Sequence, residues 1–529
     1  MIQSFKQNPK LDSEYDAIII GSGMGGLTTG ALLAKEGKKV LILERHYTAG
    51  GFTHIFKRPG YEWDVGIHYV GEMGKKTSFS RRMSDYITND KLQWADMGEV
   101  YDRIVVGEEI FDFPKGVGNL KERLKAYFPD DSKAIDKYFE LVFAAVKSNR
   151  GYFMAKALPK PISALIGGWL NRKMLKYSRR TTLEVLEGIT SNPKLIKVLT
   201  AQYGDYGLPP AQSSFAMHAL LVKHYFNGGY FPIGGSSQIV KTIDQVIEGS
   251  GGTIITNAEV EEVIITDGRA SGVRMADGTE LPGKKIISNA GVYNTAKKLL
   301  PSDLPLTKRL LGLVREVGPS SAHICLYVGL DGTPEELKLP KANYWIYPEN
   351  GSHDENIEDF SNDINKELPL VYISFPSSKD PDWQTRYPDK STIDILTVMP
   401  YDKFEQWEGT DWKKRPEEYE TLKENLALRL LDKLYELEPQ TKGKVAYYEL
   451  SSPLTTKKFV NYERGEIYGL EHSPRRFDSK LLKPATSLKN FYLTGQDIST
   501  AGIVGAMASG LLTASVISGK NLMKKVLKT

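Results

Sequence analysis

Residues 16–44 contain, in order, every part of the first half of a dinucleotide-binding unit. Asp16-Ala17-Ile18-Ile19-Ile20 is an apolar run of strand length, and it leads into Gly21-Ser22-Gly23-Met24-Gly25-Gly26, a G-x-G-x-x-G turn. The spacing predicts a helix over 27–36 closed by Gly37, then a second buried strand, Val40-Leu41-Ile42-Leu43, that ends on Glu44. Gly21 permits the tight turn, Gly23 lets backbone approach a pyrophosphate, and Gly26 lets helix and strand pack closely; Gly25 belongs to the same turn. The start of the helix offers free N–H groups and a positive dipole end to phosphate. Glu44 stands where a carboxylate accepts from a ribose hydroxyl, and its charge favours a free 2′-hydroxyl. FAD or NAD therefore fits better than NADP.

The segment after the acid favours FAD. Arg45-His46-Tyr47-Thr48-Ala49-Gly50-Gly51 supplies, through Gly50 and Gly51, a second close backbone approach that a longer FAD laid across the domain requires. No second G-x-G-x-x-G follows a strand and opens a helix. Gly249-Ser250-Gly251-Gly252 comes after a helical stretch and before a strand, which is the wrong order. A separate NAD(P)H domain is not expected. The electron donor is left open: NAD(P)H entering the substrate cleft, or an external reductant.

At 529 residues the chain can form two or more domains with a large buried core. A net charge of +4 is too mild to argue for nucleic acid. Its one cysteine, Cys325, excludes an intrachain disulfide and a cysteine metal site. No histidine–carboxylate metal motif and no G-x-S-x-G elbow occurs, so no metal is expected. The first 13 residues lack an apolar signal core, and no run of 18 apolar residues exists. A cytoplasmic protein, peripherally membrane-associated, is the expectation.

The fold class expected is α/β, with the nucleotide unit interleaved with a second domain. Residues 14–75, 226–300 and 455–529 are assigned to a discontinuous nucleotide-binding domain. Residues 76–225, helical in pattern, and 301–454, with strands near 322–328, 344–347, 370–375 and 393–399, are assigned to a mixed-sheet, helix-rich substrate domain. Asp267-Gly268 and Asp277-Gly278 read as the turns of a β-meander, 417–437 reads as one long helix, and the acidic stretch 350–368 reads as a surface loop.

Four motifs carry a resemblance to the FAD-dependent phytoene desaturase family, and within it to the retinol saturase branch. They are the nucleotide unit extended through Gly50-Gly51; Asp64-Val65-Gly66-Ile67-His68-Tyr69-Val70-Gly71; Tyr230-Phe231-Pro232-Ile233-Gly234-Gly235-Ser236-Ser237; and Tyr492-Leu493-Thr494-Gly495-Gln496-Asp497 running into Gly502-Ile503-Val504-Gly505-Ala506. Tyr468-Gly469-Leu470-Glu471-His472 also resembles a family segment on the substrate side. The resemblance implies a Rossmann-like FAD-binding domain of the amine oxidase and phytoene desaturase type, an apolar polyene or terpenoid lipid substrate, and work at a membrane surface. It implies that Gly495, Asp497, Gly502 and Ile503 join the FAD site, and that the backbone of Val260 meets adenine. The implied chemistry is reduction of one double bond of a polyene, retinoid or carotenoid-like lipid by hydride from the flavin. Desaturation and redox-neutral isomerisation are the alternatives on the same motifs, and a non-catalytic FAD-containing lipid or pigment carrier is the alternative of another class.

His68, Tyr69 and His472 are the candidate catalytic residues. A histidine beside a flavin can steady developing charge or pass a proton, and a packed histidine bonded to backbone is the plainer reading. Lys223-His224-Tyr225 is a weaker candidate for the cleft. Finally, no acidic residue lies between 141 and 183, where nine cations (Lys147, Arg150, Lys156, Lys160, Arg172, Lys173, Lys176, Arg179, Arg180) interleave with Phe153, Met154, Leu158, Ile162, Leu165, Ile166, Trp169 and Leu170. Residues 147–180 therefore read as a segment for the interface of an anionic membrane, against the alternative of a solvated basic helix.

Overall fold

The computed structural model describes residues 2–12, 14–157 and 160–528, without the side chains of 160–164. Its organising element is a parallel six-stranded sheet in the order Gln3–Ser4, Thr253–Thr256, Val40–Leu43, Ala17–Ile20, Ile286–Ser288, Phe491–Leu493. Every residue of Ala17–Ile20 and Val40–Leu43 is buried. A parallel strand covered on both faces requires such continuous apolar runs. The strand order reverses between Ala17–Ile20 and its two neighbours. That switch point places a crevice beyond the carboxyl ends of the strands.

The helix after the first strand is Met24–Lys35, so it begins three residues earlier than the spacing predicts. The reason is Gly23, whose extended backbone makes it the N-cap and puts Gly25 and Gly26 in the first turn. Met24 to Ala34 are all buried, because the helix lies between the sheet and a second helix, Gly502–Ser518. The two approach closely where Gly510 meets Thr28: a Cβ on Gly510 would stand 2.6 Å from Thr28 Cβ.

A second, seven-stranded sheet runs Val445–Ser451, His323–Asp331, Lys390–Val398, Val371–Ser374, Asn343–Tyr347, Val100–Val106, Glu109–Pro114. Its pairs are antiparallel except Asn343–Tyr347 with Val100–Val106. The last two strands fall in 76–225, which reads as helical; Asp102 and Arg103 interrupt the apolar run there, and the structure buries Asp102 completely. The long helix is Glu417–Leu437, as its periodicity predicts. The loop expected over 350–368 is corrected. Ser352 and Glu355 form a reciprocal capping box that starts the helix His353–Asn362, and buried Phe360 fixes it to the core. The meander is Val260–Thr266, Arg269–Met275, Glu280–Pro282, with Asp267 and Gly268 both at positive φ in its first turn.

Two long helices, Ser132–Ala157 and Lys160–Ser178, pack where Gly151 leaves room for the carbonyl of Leu170. They carry the basic, apolar stretch, of which Leu158 and Pro159 lie outside the described residues, as do the side chains of Lys160 and Ile162. Lys156 is a correction to the basic face: it is buried, its Nζ 2.5 Å from the carbonyl of Ile498 and over the ring of Tyr152. Among the described residues no helix is long and apolar enough to cross a membrane.

Candidate functional site

A cavity of about 530 Å³ lies at the switch point and continues to the face of the second sheet. On the nucleotide side its wall includes Gly21, Gly23, Gly25, Glu44, Arg45, Gly50, Gly51, Val260, Gly495, Asp497, Gly502 and Ile503. The starts of both helices, Met24–Lys35 and Gly502–Ser518, meet it, and neither N-cap residue supplies a side-chain hydrogen bond. Their first-turn N–H groups are thus left for an anion or a flavin carbonyl. Gly26 lies beneath the wall, against the carbonyl of Gly21, where a Cβ would collide.

The side chains on this wall are held by the protein itself. Glu44 Oε1 accepts from the N–H of His46 at 2.8 Å, and Oε2 accepts from Ser22. Arg45 is turned to the carbonyls of Lys458 and Phe459. Asp497 accepts from the N–H groups of Val292, at 2.7 Å, and Leu470, at 2.8 Å. It thereby ties the Tyr468–His472 motif to the nucleotide sheet. The second and third motifs also meet: Asp64 Oδ1 accepts from the N–H of Ser236 at 2.6 Å. Asn289, just beyond the strand Ile286–Ser288, is a wall residue that belongs to none of the sequence motifs. Its amide sits among Gly21, Gly23, Gly25 and Gly495, donating to the carbonyl of Gly21 at 3.3 Å, and a Cβ on Gly25 would come within 2.7 Å of its Oδ1. These glycines leave a trough of backbone without Cβ atoms, shaped for a pyrophosphate and its nucleoside, so the residues present fit FAD.

On the other side the wall is aromatic and aliphatic, with Trp345, Leu370, Tyr372, Leu396, Val398 and Tyr468, and it carries His68, Asp205 and His323 in its midst, the last with its ring pKa lowered to about 4 by burial. His68 is half-buried, its ring edge-on to Tyr372. Its Nδ1 is 3.4 Å from Asp394 Oδ2, a carboxylate with no solvent exposure. Burial raises the Asp394 carboxyl, opposed by His68 and by Lys379. Lys379 Nζ donates to the carbonyl of His68 at 2.9 Å, to Ser374 Oγ at 2.7 Å and to Asn343 Oδ1. Burial pushes its ammonium down to about 7, against the pull of Asp102, Asp394 and Asp64.

Tyr69 stands behind the wall, buried and stacked on Tyr225 at 4.1 Å. His472 is fully buried and is not on the wall. Its Nε2 accepts from the N–H of Ala501, so it shapes the entry to the helix Gly502–Ser518, and burial holds its ring well below the usual histidine range. His224 is committed similarly, its Nε2 accepting from the N–H of Gly71 at 2.8 Å. Asp205, Asp102, Asp394 and Lys379 carry no sequence motif; the second sheet and the turn before Tyr206 bring them together.

A family model described as flavin containing amine oxidoreductase matches residues 24–518. The all-trans-retinol 13,14-reductase of Danio rerio is 36% identical, over 97% of this chain and 87% of that protein. A Danio rerio protein named inactive all-trans-retinol 13,14-reductase is 33% identical, over 99% and 90%. The chloroplastic prolycopene isomerase of Arabidopsis thaliana is 26% identical, over 97% and 85%. Among solved structures, wild-type putrescine oxidase bound to putrescine superposes with a TM-score of 0.62 over 97% of this chain and 100% of that one; at 16% identity the likeness is one of fold.

Proposed function

This chain belongs to the flavin-containing amine oxidoreductase family, in the retinol saturase branch, and from that premise we propose that it reduces one carbon–carbon double bond of a retinoid-like polyene. The observation that carries the reading is the continuity of the cavity: a glycine-lined nucleotide trough opens directly onto an aromatic and aliphatic chamber. A conjugated chain held there by apolar contact would lie beside the isoalloxazine. FAD, when bound, supplies or accepts the hydride. The chain's own residues do the rest. The trough and the two helix starts bind the pyrophosphate side; Glu44 and the backbone of Val260 meet the adenosine; Gly495, Asp497, Gly502 and Ile503 close around the flavin end. Trp345, Tyr372, Leu396 and Tyr468 orient the polyene and exclude water. His68, backed by Asp394, steadies charge that develops on the carbon chain. Tyr69 and His472 support the site from behind the wall.

The substrate is a membrane lipid, and we place the exposed side of the helices 132–157 and 160–178 at the membrane surface it leaves. Electrons arrive from NAD(P)H in the same cavity or from an external reductant.

The test is anaerobic. Flavin reduced in the holoprotein is mixed with all-trans-retinol, and both the flavin spectrum and the product mass are followed. Reoxidation with gain of two hydrogens supports the proposal. Reduction of oxidised flavin by the dihydro compound alone points to a desaturase. A geometric isomer formed without net redox change points to an isomerase. A flavin that no polyene reoxidises points to a carrier.

A further inference from the structure

Two carboxylates converge on one phenol. The Tyr69 hydroxyl lies 2.9 Å from Asp102 Oδ2 and 3.1 Å from Asp205 Oδ2. A phenol has one proton and can donate it to one acceptor at a time. If both acids were ionised, one carboxylate would face the lone pairs of the phenol and a second negative charge. The arrangement is satisfied by one further proton, as where two carboxylates share a site.

The surroundings say which acid holds it. Asp102 is completely buried, yet it is served as an anion: Gln202 Nε2 donates to its Oδ2 at 2.7 Å and Asn343 Nδ2 to its Oδ1 at 2.9 Å. Lys379, bonded to Asn343, adds a positive charge behind it. Asp205 has no such help. Its one hydrogen-bond partner among the described residues is Tyr69. The titratable groups around it are Asp102, Tyr69, Tyr206, Tyr225, Tyr347, Tyr372 and Tyr468, all of them acids. Burial first, then Asp102, holds the Asp205 carboxyl well above the usual range, while Asp102 is pushed up to about 7. With Asp205 neutral the chain is consistent throughout: the Asp205 O–H donates to the Tyr69 oxygen, and the Tyr69 O–H donates to the Asp102 carboxylate. Asp205 is the member of this chain that reaches the cavity, next to Gly204 and among Trp345, Tyr372 and Tyr468.

We propose that Asp205 stores, on its carboxyl group, the proton that completes reduction of the polyene, with Tyr69 and Asp102 as the positioning residues that keep it there. The inference rests on the reductase reading. When a hydride from reduced flavin adds to one alkene carbon, the Asp205 O–H turns from the Tyr69 oxygen toward the cavity, and the π electron pair forms a new C–H bond at the other carbon with that proton. The O–H bond breaks, Asp205 is left as carboxylate, the flavin is left oxidised and the alkene has gained two hydrogens. Asp205 and Asp102 then both bear charge on one phenol, and repulsion drives uptake of a proton from water once product leaves. His68 stabilises charge in this scheme and transfers no proton.

Infrared difference spectra of the flavin-loaded protein read the stored proton without turnover. At pH 8, above the Asp102 value, the wild type minus Asp205→Asn should show one carboxylic-acid C=O band that shifts in D₂O. Tyr69→Phe should move that band, because the acid loses its acceptor. Asp205→Asn should retain flavin and slow reoxidation by retinol by about 10²- to 10⁴-fold, the span of a lost general acid. No band difference, or an unslowed Asp205→Asn, overturns the proposal. If Asp205→Asn does not hold flavin, an acid band unmoved by Tyr69→Phe overturns it equally. A wild-type flavin that no polyene reoxidises instead sinks the reductase reading, and the band then decides whether Asp205 stores a proton at all.

Discussion

Ser22 donates twice to one oxygen of Glu44: its backbone N–H lies 2.9 Å and its hydroxyl 2.6 Å from Glu44 Oε2. The second residue of the glycine turn and the acid at the end of the neighbouring strand are therefore locked together before any nucleotide arrives. The hydroxyl also accepts from the N–H of Gly50 at 2.9 Å, so Ser22 joins the turn, the acid and the second glycine pair.

This lock sets the first prediction. Glu44→Ala removes the proposed ribose acceptor and frees Ser22, and FAD should bind about 1–2 kcal/mol more weakly, roughly 5- to 30-fold in Kd. Ser22→Ala leaves the carboxylate in place with one donor fewer, and should weaken FAD less than Glu44→Ala does. Titration of apoprotein with FAD, followed by flavin fluorescence, measures both. A Glu44→Ala protein with wild-type affinity would remove the acid from the site.

Two glycines of the same turn should fail differently. A Cβ on Gly23 meets only the amide of Asn289, at 3.0 Å, which can give slightly. A Cβ on Gly26 meets the backbone carbonyl of Gly21, and neither side of that contact can rotate away. Gly23→Ala should fold with near-native stability and lose flavin, since the methyl occupies phosphate space. Gly26→Ala should lose stability in the apoprotein, by about 1–3 kcal/mol for an overpacked site. Thermal unfolding of the two apoproteins beside their absorbance after FAD loading separates the cases; equal melting temperatures would contradict the packing argument.

His218 gives a pH signature. It is buried between the hydroxyls of Tyr138, 2.9 Å from Nε2, and Tyr206, 3.3 Å from Nδ1, and burial lowers its pKa to about 3. The unfolded chain takes up this proton below its ordinary value of about 6.5 and the folded chain does not. The neutral ring's contribution is therefore complete above pH 6.5 and is lost as pH falls toward 3. At pH 5 the loss is about 2 kcal/mol. The stability difference between wild type and His218→Gln should narrow by that amount from pH 7.5 to pH 5, by urea unfolding at each pH. A difference independent of pH would mean that His218 takes up its proton as readily in the fold as in the unfolded chain.

What was legible in the sequence was what is contiguous. The nucleotide unit works through spacing within 16–44, and spacing is what a sequence displays. The helix at 353–362 was legible in Ser352 and Glu355, but the acidic composition around them argued for a loop. The Asp102–Tyr69–Asp205 chain was not legible, because it joins a strand of the second sheet, the second motif and the turn before Tyr206. In a strand pattern Asp102 looks like a solvent-facing residue that breaks an apolar run. Only the donors from Tyr69, Gln202 and Asn343, at a distance of 33, 100 and 241 positions, make it a buried one. His472 was found by motif, and its place behind the wall follows from Ala501, which no spacing rule connects to it.

The last prediction concerns the helices 132–157 and 160–178. Leu165 is 85% exposed and Trp169 76%, and Met154 is 59% exposed on the partner helix. Side chains of this size left in water, one of them a tryptophan, sit beside exposed Lys147, Arg150, Arg172, Lys173 and Lys176. Arg179 and Arg180 are exposed too, but Arg179 pairs with Asp478 and Arg180 bonds to the carbonyl of Glu184, and buried Lys156 takes no part. Five cations at about 1 kcal/mol each, with apolar anchors beside them, favour an anionic lipid interface over solvent. The protein should float with liposomes that contain phosphatidylserine and stay behind with neutral ones at physiological salt. Leu165→Ala with Trp169→Ala should weaken flotation by tenfold or more, since each buried anchor contributes about 1.5–3 kcal/mol. Lys173→Glu with Arg172→Glu should abolish the preference for anionic lipid while leaving flavin content unchanged. If the wild type remains in the soluble fraction with both lipid mixtures, these side chains face water in the working protein, and the polyene must enter by another route.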